Sequence, residues 1–154
     1  MGDSIEAKLA GLGIVLPQAA APAANYVPFM RSGDLLFTAG QLPLKDGKLA
    51  ATGLLGRDLD TAAGREAARL CAVNVLAQAK AALGDLELVR RLVKITVFVA
   101  SAPGFTEQHL VANGASDLFV DALGEPGRHA RSAVGTASLP LDAPVEVEAI
   151  FEVE

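Results

Sequence analysis

The order of segments in this 154-residue chain predicts an α+β layer, a mixed sheet with two long helices on one face. Alanine, leucine and valine recur at helical spacing from Asp60 to Leu83, and Val93, Ile95, Val97 and Val99 alternate inside an extended run. A second helical stretch and further strand-like runs surround these two, and no repeat, low-complexity tract or composition break divides them. The length suits one domain over residues 1–154, preceded within it by a short helical extension over about residues 1–24.

Taken in order, Ser4 can cap a first helix reaching about Ala10, which Gly11-Leu12-Gly13 would end. Pro17 to Ala24 reads as an extended connector. The runs Asn25 to Met30 and Leu35 to Thr38, with Arg31-Ser32-Gly33-Asp34 between them, read as a β-hairpin. Lys45-Asp46-Gly47-Lys48 is a second turn with a short strand on each side. The helix from Asp60 to Leu83 has Asp60 or Thr61 as its cap and Gly84 beyond its end.

Leu92 to Ala100 is the clearest strand, and its face of Val93, Ile95, Val97 and Val99 should lie against the helices. The next helix is expected from about Phe105 to Leu123, with Gly114 inside it and Gly124 at its end. Two strands, about Arg131 to Ala137 and Val145 to Val153, complete the chain. With both helices on one face the other face, which carries Phe98, would be open in a monomer, and sheet-to-sheet association between subunits would cover it.

Composition narrows the function. Hydrophobic residues make up 51% and charged residues 20%, a balance rich enough in apolar side chains to suggest a subunit interface. A net charge of −5, no basic stripe and no tryptophan argue against a nucleic-acid partner. No run approaches the ~20 apolar residues of a membrane span, and Met1 to Lys8 lacks a signal-peptide pattern, so a cytoplasmic protein without membrane contact is expected. The single cysteine, Cys71, excludes an internal disulfide and reads as a small buried hydrophobe. Two separated histidines leave too few soft ligands for a zinc site, so no metal is expected.

No P-loop, dinucleotide fingerprint or Gly-x-Ser-x-Gly element occurs, so no cofactor and no serine triad are expected. Arg131 and Glu146 remain, on two consecutive extended segments joined by a short loop, in reach of one small pocket. Arginine presents a planar fork that matches a carboxylate, and a glutamate can deprotonate a water. The same residues also fit a plainer reading, in which Arg131 is a surface cation and Glu146, Glu148 and Glu152 are the polar side of an alternating strand. Tyr26 equally suits a packing role.

Thr38-Ala39-Gly40-Gln41-Leu42-Pro43, the alanine-rich helix with Asn74, Val93 to Val99, Ala130-Arg131-Ser132, Leu139-Pro140 and Val145 to Ile150 together resemble the RidA/YjgF family from about Tyr26 onward. The resemblance implies a chorismate-mutase-like fold and a homotrimer with clefts between subunits. It also implies cofactor-free hydrolysis of reactive 2-imino acids to 2-oxo acids and ammonia. By position, Arg131 matches the arginine that binds the substrate carboxylate, Glu146 the glutamate that handles the attacking water, and Tyr26 the pocket tyrosine. Gly40 and Ala133 match backbone positions lining that pocket, and Asn113 and His129 are further candidates for it; His129 also suits a half-buried structural role. Ala133 stands where the deaminase branch often has cysteine, and Asn113-Gly114-Ala115-Ser116-Asp117 with Gly127-Arg128-His129, continued by the run from His129 to Gly135, resembles a distinct branch. The alternative to hydrolysis is a trimer that binds small carboxylates, or acts like a chaperone, without turnover. The family also covers proteins described as endoribonucleases and translation inhibitors, a third reading that the net charge of −5 disfavours.

Overall fold

A computed structural model describes residues 3–154, so Met1 and Gly2, where the N-terminal reading begins, lie outside the described residues. The first helix, α1 (Ile5–Gly11), is capped by Ser4, whose Oγ accepts from the Ala7 amide at 3.1 Å. It buries Ile5 and Leu9, and Gly13 reverses the chain with a φ of 77°. The connector that follows is tied to the body through the carbonyl of Ala20, which accepts from Gln78 Nε2 at 2.8 Å.

The predicted hairpin is β1 (Phe29–Ser32) and β2 (Leu35–Thr38), closed by a two-residue turn at Gly33 and Asp34. Its first strand begins later than expected, and Tyr26 sits in the bend before it. A second, two-stranded sheet pairs β3 (Leu44–Lys45) with β4 (Lys48–Leu49). Asp46 and Gly47 between them have φ of 53° and 78°, the two left-handed positions that an Asp-Gly hairpin turn requires.

The long helix, α2 (Thr61–Leu83), is capped by Asp60, whose carboxylate accepts from the Ala63 amide at 2.8 Å, and ends at left-handed Gly84. One turn of 3₁₀ helix then leads into β5 (Val89–Ala100). Ile95, Val97 and Val99 face the helices as expected, but Val93 does not. Register irregularities between Val89 and Arg91 and between Leu92 and Lys94 turn Val93 outward and put Leu92 in the core in its place.

The second long helix, α3 (Gln108–Leu123), starts one turn later than expected because Gly104, with a φ of 87°, holds the preceding residues in a turn. Two final strands, β6 (Ala130–Thr136) and β7 (Val145–Val153), complete a five-stranded sheet in the order β1-β2-β7-β5-β6. β5 pairs antiparallel with β7 and parallel with β6. Both long helices cover one face, where Leu36, Ile95, Val97, Val147 and Phe151 meet Leu76, Leu118 and Phe119 in one buried cluster. The opposite face carries Phe98, Glu146, Glu148 and Ile150 and leaves Met30, Phe37 and Val134 exposed. No helix among the described residues is long and apolar enough to cross a membrane.

Gly114 has a packing reason to interrupt α3. A Cβ there would run into the backbone carbonyl of Arg65 on α2, and a Cβ on Gly64 of α2 would come within 2.9 Å of Val111 on α3. The helices thus approach at positions where neither carries a side chain. Gly114→Ala is expected to lower stability by about 1–3 kcal/mol through this overpacking, against the ~1 kcal/mol gain that alanine normally brings to a helix interior. A urea midpoint below wild type would bear this out, and a higher one would show that the helices can separate without cost.

Candidate functional site

The sequence-predicted residues fall into two groups. Arg131 lies on β6 opposite Ile95, on the helix-covered side of the sheet, and its guanidinium reaches α3. Nη1 donates to Asn113 Oδ1 at 2.8 Å and to Ser116 Oγ at 3.1 Å, and Nη2 donates to the His109 carbonyl at 2.9 Å. All three acceptors are neutral, so the charge is held in place without being cancelled. Nε–H and one Nη2 hydrogen have no acceptor among the described residues.

His129 adjoins this network. Its Nε2 lies 2.8 Å from Ser116 Oγ and its Nδ1 lies 2.6 Å from the Gly127 carbonyl. The ring meets Phe119 edge-on at 6.1 Å. Burial lowers its pKa below the usual 6.5, and the nearby Arg131 charge adds to that, while the bond to Gly127 opposes it. A shallow depression of about 330 Å³ opens over Ser116, Asp117, Val120, Arg128, His129 and Arg131. Ala133, two residues on along β6, is partly buried against the core.

Glu146 belongs to the other group. It lies on β7 opposite Phe98, on the uncovered face. It is half-buried and no cation pairs with it among the described residues. Desolvation, followed by repulsion from Glu148, raises its pKa above the usual 4.5. The carboxylate lies against Gly40, where a Cβ would come within 2.8 Å of its Cδ. Glycine at this position is therefore what lets the loop approach the acid.

That loop is fixed from two sides. Gln41 and Val147 exchange backbone hydrogen bonds at 2.8 and 3.0 Å, and Asn74 Nδ2 donates to the carbonyls of Leu42 and Leu44 at 2.9 and 3.0 Å. Tyr26, its hydroxyl accepting from the Ala23 amide at 3.3 Å, shares a small cavity of about 90 Å³ with Gly40 and Leu141. Gly40 thus adjoins both Tyr26, across the cavity, and Glu146.

The two groups do not meet within one chain. Arg131 and Glu146 were expected to reach one pocket because their strands follow each other, but β5 lies between β6 and β7, and the two side chains leave the sheet on opposite faces. Ser116 and the His109 carbonyl are the site members that the sequence reading did not single out. Their signal is the spacing of His109, Asn113 and Ser116 at i, i+4 and i+7, which puts them on one stripe of a helix that also carries a buried apolar face. Cys71, read as a buried hydrophobe, is fully buried, and burial pushes its thiol pKa up.

The layered mixed sheet, with a caged arginine on one side and a partly desolvated glutamate on the other, is an α+β architecture of the chorismate-mutase-like class. The chain belongs to the family described as "YjgF/chorismate mutase-like, putative endoribonuclease", which matches residues 6–152. It is 55% identical to Protein TCP17 of Trypanosoma cruzi over 149 residues, covering 96% of this chain and 93% of that protein. The crystal structure of Atu1372 from Agrobacterium tumefaciens is 60% identical with a TM-score of 0.92, covering 97% of this chain and 92% of that one. Escherichia coli TdcF with bound serine is more distant, at 27% identity and a TM-score of 0.66, covering 89% of this chain and 94% of that one.

The environment of Glu146 sets a stability prediction. Its raised pKa means that the folded chain disfavours the ionised form, so folding is penalised above the unfolded value near 4.5 and the penalty vanishes below it. Glu146→Gln should therefore raise Tm at pH 7 by about 1–3 °C and leave it unchanged at pH 4. Calorimetry at the two pH values measures the difference; a variant less stable than wild type at pH 7 would contradict it.

Proposed function

We propose that this protein is a homotrimeric hydrolase of small 2-imino acids, with its active clefts between subunits. The observation that carries the reading is the state of Arg131: its guanidinium is immobilised by three neutral acceptors, and Nε–H and one Nη2 hydrogen stay unused beside an open depression. Unused guanidinium donors held in place suit a carboxylate. TdcF, a structural relative with serine bound, supports a ligand that carries an α-carboxylate.

In this reading the cleft joins Arg131, Asn113, Ala133 and His129 of one copy to Tyr26, Gly40 and Glu146 of the next. Exposed Met30, Phe37 and Val134 on the uncovered face supply apolar surface for association. The imine of a 2-oxo acid is already electrophilic, so the protein needs only to orient it and manage protons. Glu146, as a carboxylate, takes a proton from water as the oxygen bonds to the imine carbon and the C=N pair moves to nitrogen. It then returns that proton to nitrogen, and the carbinolamine collapses to the 2-oxo acid and ammonia. A raised pKa strengthens Glu146 as the acceptor of that proton.

The reading is tested by generating 2-iminopropanoate or 2-iminobutanoate in solution and following its decay. Arg131→Ala should lose at least about 30-fold in kcat/KM, the scale of removing one partner of a buried charge pair, and Glu146→Gln should lose mainly kcat. Sedimentation should give three times the chain mass. Wild-type protein that leaves the decay rate unchanged would refute the activity. In that case, tight binding of 2-oxobutanoate that survives Glu146→Gln would favour a carboxylate-binding trimer.

A further inference from the structure

The hydrogen bonds around Arg131 form a chain with a fixed direction. Gly127 offers a carbonyl, which can only accept, so His129 Nδ1 carries the hydrogen of that 2.6 Å contact. In the neutral ring Nε2 is then a bare lone pair, and at 2.8 Å it takes the hydroxyl hydrogen of Ser116. That locks the serine rotor and turns its oxygen lone pairs toward Arg131 Nη1 at 3.1 Å. Donation therefore runs from Arg131 to Ser116, from Ser116 to His129, and from His129 to Gly127.

We propose that Ser116 and His129 are positioning residues that aim Arg131 at the substrate carboxylate, and that His129 does so in its neutral form. The proposal rests on the reading of Arg131 as the carboxylate ligand. Neither residue needs to touch the reacting atoms. The rigidity comes from His129 itself, held by Phe119 edge-on at 6.1 Å and by the turn carbonyl of Gly127.

Protonation would break the direction of the chain. An imidazolium Nε2–H must donate to Ser116, which then has to turn its own hydrogen away from both His129 and Arg131. Two cations would then share one hydroxyl. The charged groups facing the ring are Arg131 on β6, Arg128 before it, which is ion-paired with Glu125 at 3.1 Å, and the exposed Asp117 of α3. The lowered pKa of His129 means the neutral form persists to below pH 6.5 before the arrangement is lost. The sign is that grip on the carboxylate is present above this range and falls as pH drops through it.

The test combines kinetics with a direct view of the ring. In the wild type and in Ser116→Ala alike, long-range ¹H–¹⁵N spectra should show His129 with hydrogen on Nδ1 at pH 7.5, because the Gly127 carbonyl fixes that tautomer; hydrogen on Nε2 in the wild type would overturn the direction of the chain. Ser116→Ala and His129→Phe should each raise KM for 2-iminopropanoate roughly tenfold, the scale of one hydrogen bond to a charged group, with a much smaller change in kcat. The wild-type rise of KM on acidification should be absent from His129→Phe. His129→Gln, whose side-chain carbonyl can still accept from Ser116, should restore a near-wild-type KM at pH 7.5 and hold it at pH 5.5. Wild-type KM in both Ser116→Ala and His129→Phe, beside a damaged Arg131→Ala, would overturn the positioning role alone. Full activity in Arg131→Ala would overturn the reading of Arg131 itself.

Discussion

Strand β5 runs between β6 and β7, and the rest of the site follows from that placement. Because it pairs parallel with one neighbour and antiparallel with the other, Ile95 aligns with Arg131 while Phe98 aligns with Glu146. Side chains alternate along a strand, so residues 95 and 98 face opposite ways. The guanidinium is thereby committed to the helix side and the carboxylate to the uncovered side. Chemistry that needs both requires a second copy of the chain, and the apolar side chains exposed on the open face give that copy something to bury.

The two charges are handled differently, and each treatment leaves the charge usable. Arg131 is fixed by an amide oxygen, a hydroxyl and a backbone carbonyl, none of which neutralises it. Glu146 is partly desolvated beside a second glutamate, which raises its proton affinity. Holding an uncompensated charge away from water destabilises a fold. Arrangements of that kind are characteristic of sites in which groups are poised for ligand or proton transfer.

Backbone geometry supports the glutamate side. Asn74 and the Gln41–Val147 bridge clamp the loop of residues 39–44, and Gly40 in that loop has no Cβ to obstruct the carboxylate. Across the small cavity, Leu141 and Asp142 adopt φ of 60° and 63°, a conformation that side-chain-bearing residues seldom take. The loop that carries the glycine is thus positioned by α2 and β7, and the acid by β7.

Local chemistry made much of this legible in the chain. Capping aspartate and terminal glycine bounded α2, the Asp-Gly pair marked its turn, and the alternation of β5 and β7 announced strands, because each depends on residues close in sequence. The outward turn of Val93 was not legible, since it depends on how β5 meets β7. The resemblance pointed to Arg131, Glu146, Tyr26 and Gly40, but neither it nor their spacing said that one chain holds the arginine and the glutamate apart. By itself the sequence determined the elements, their order and which residues carry charge near the end of the chain. Tertiary structure decided that β5 separates β6 from β7, and that Ser116 and His129 stand behind Arg131. Strand order and helix docking are set by burial of surface between distant segments, and no local pattern encodes them.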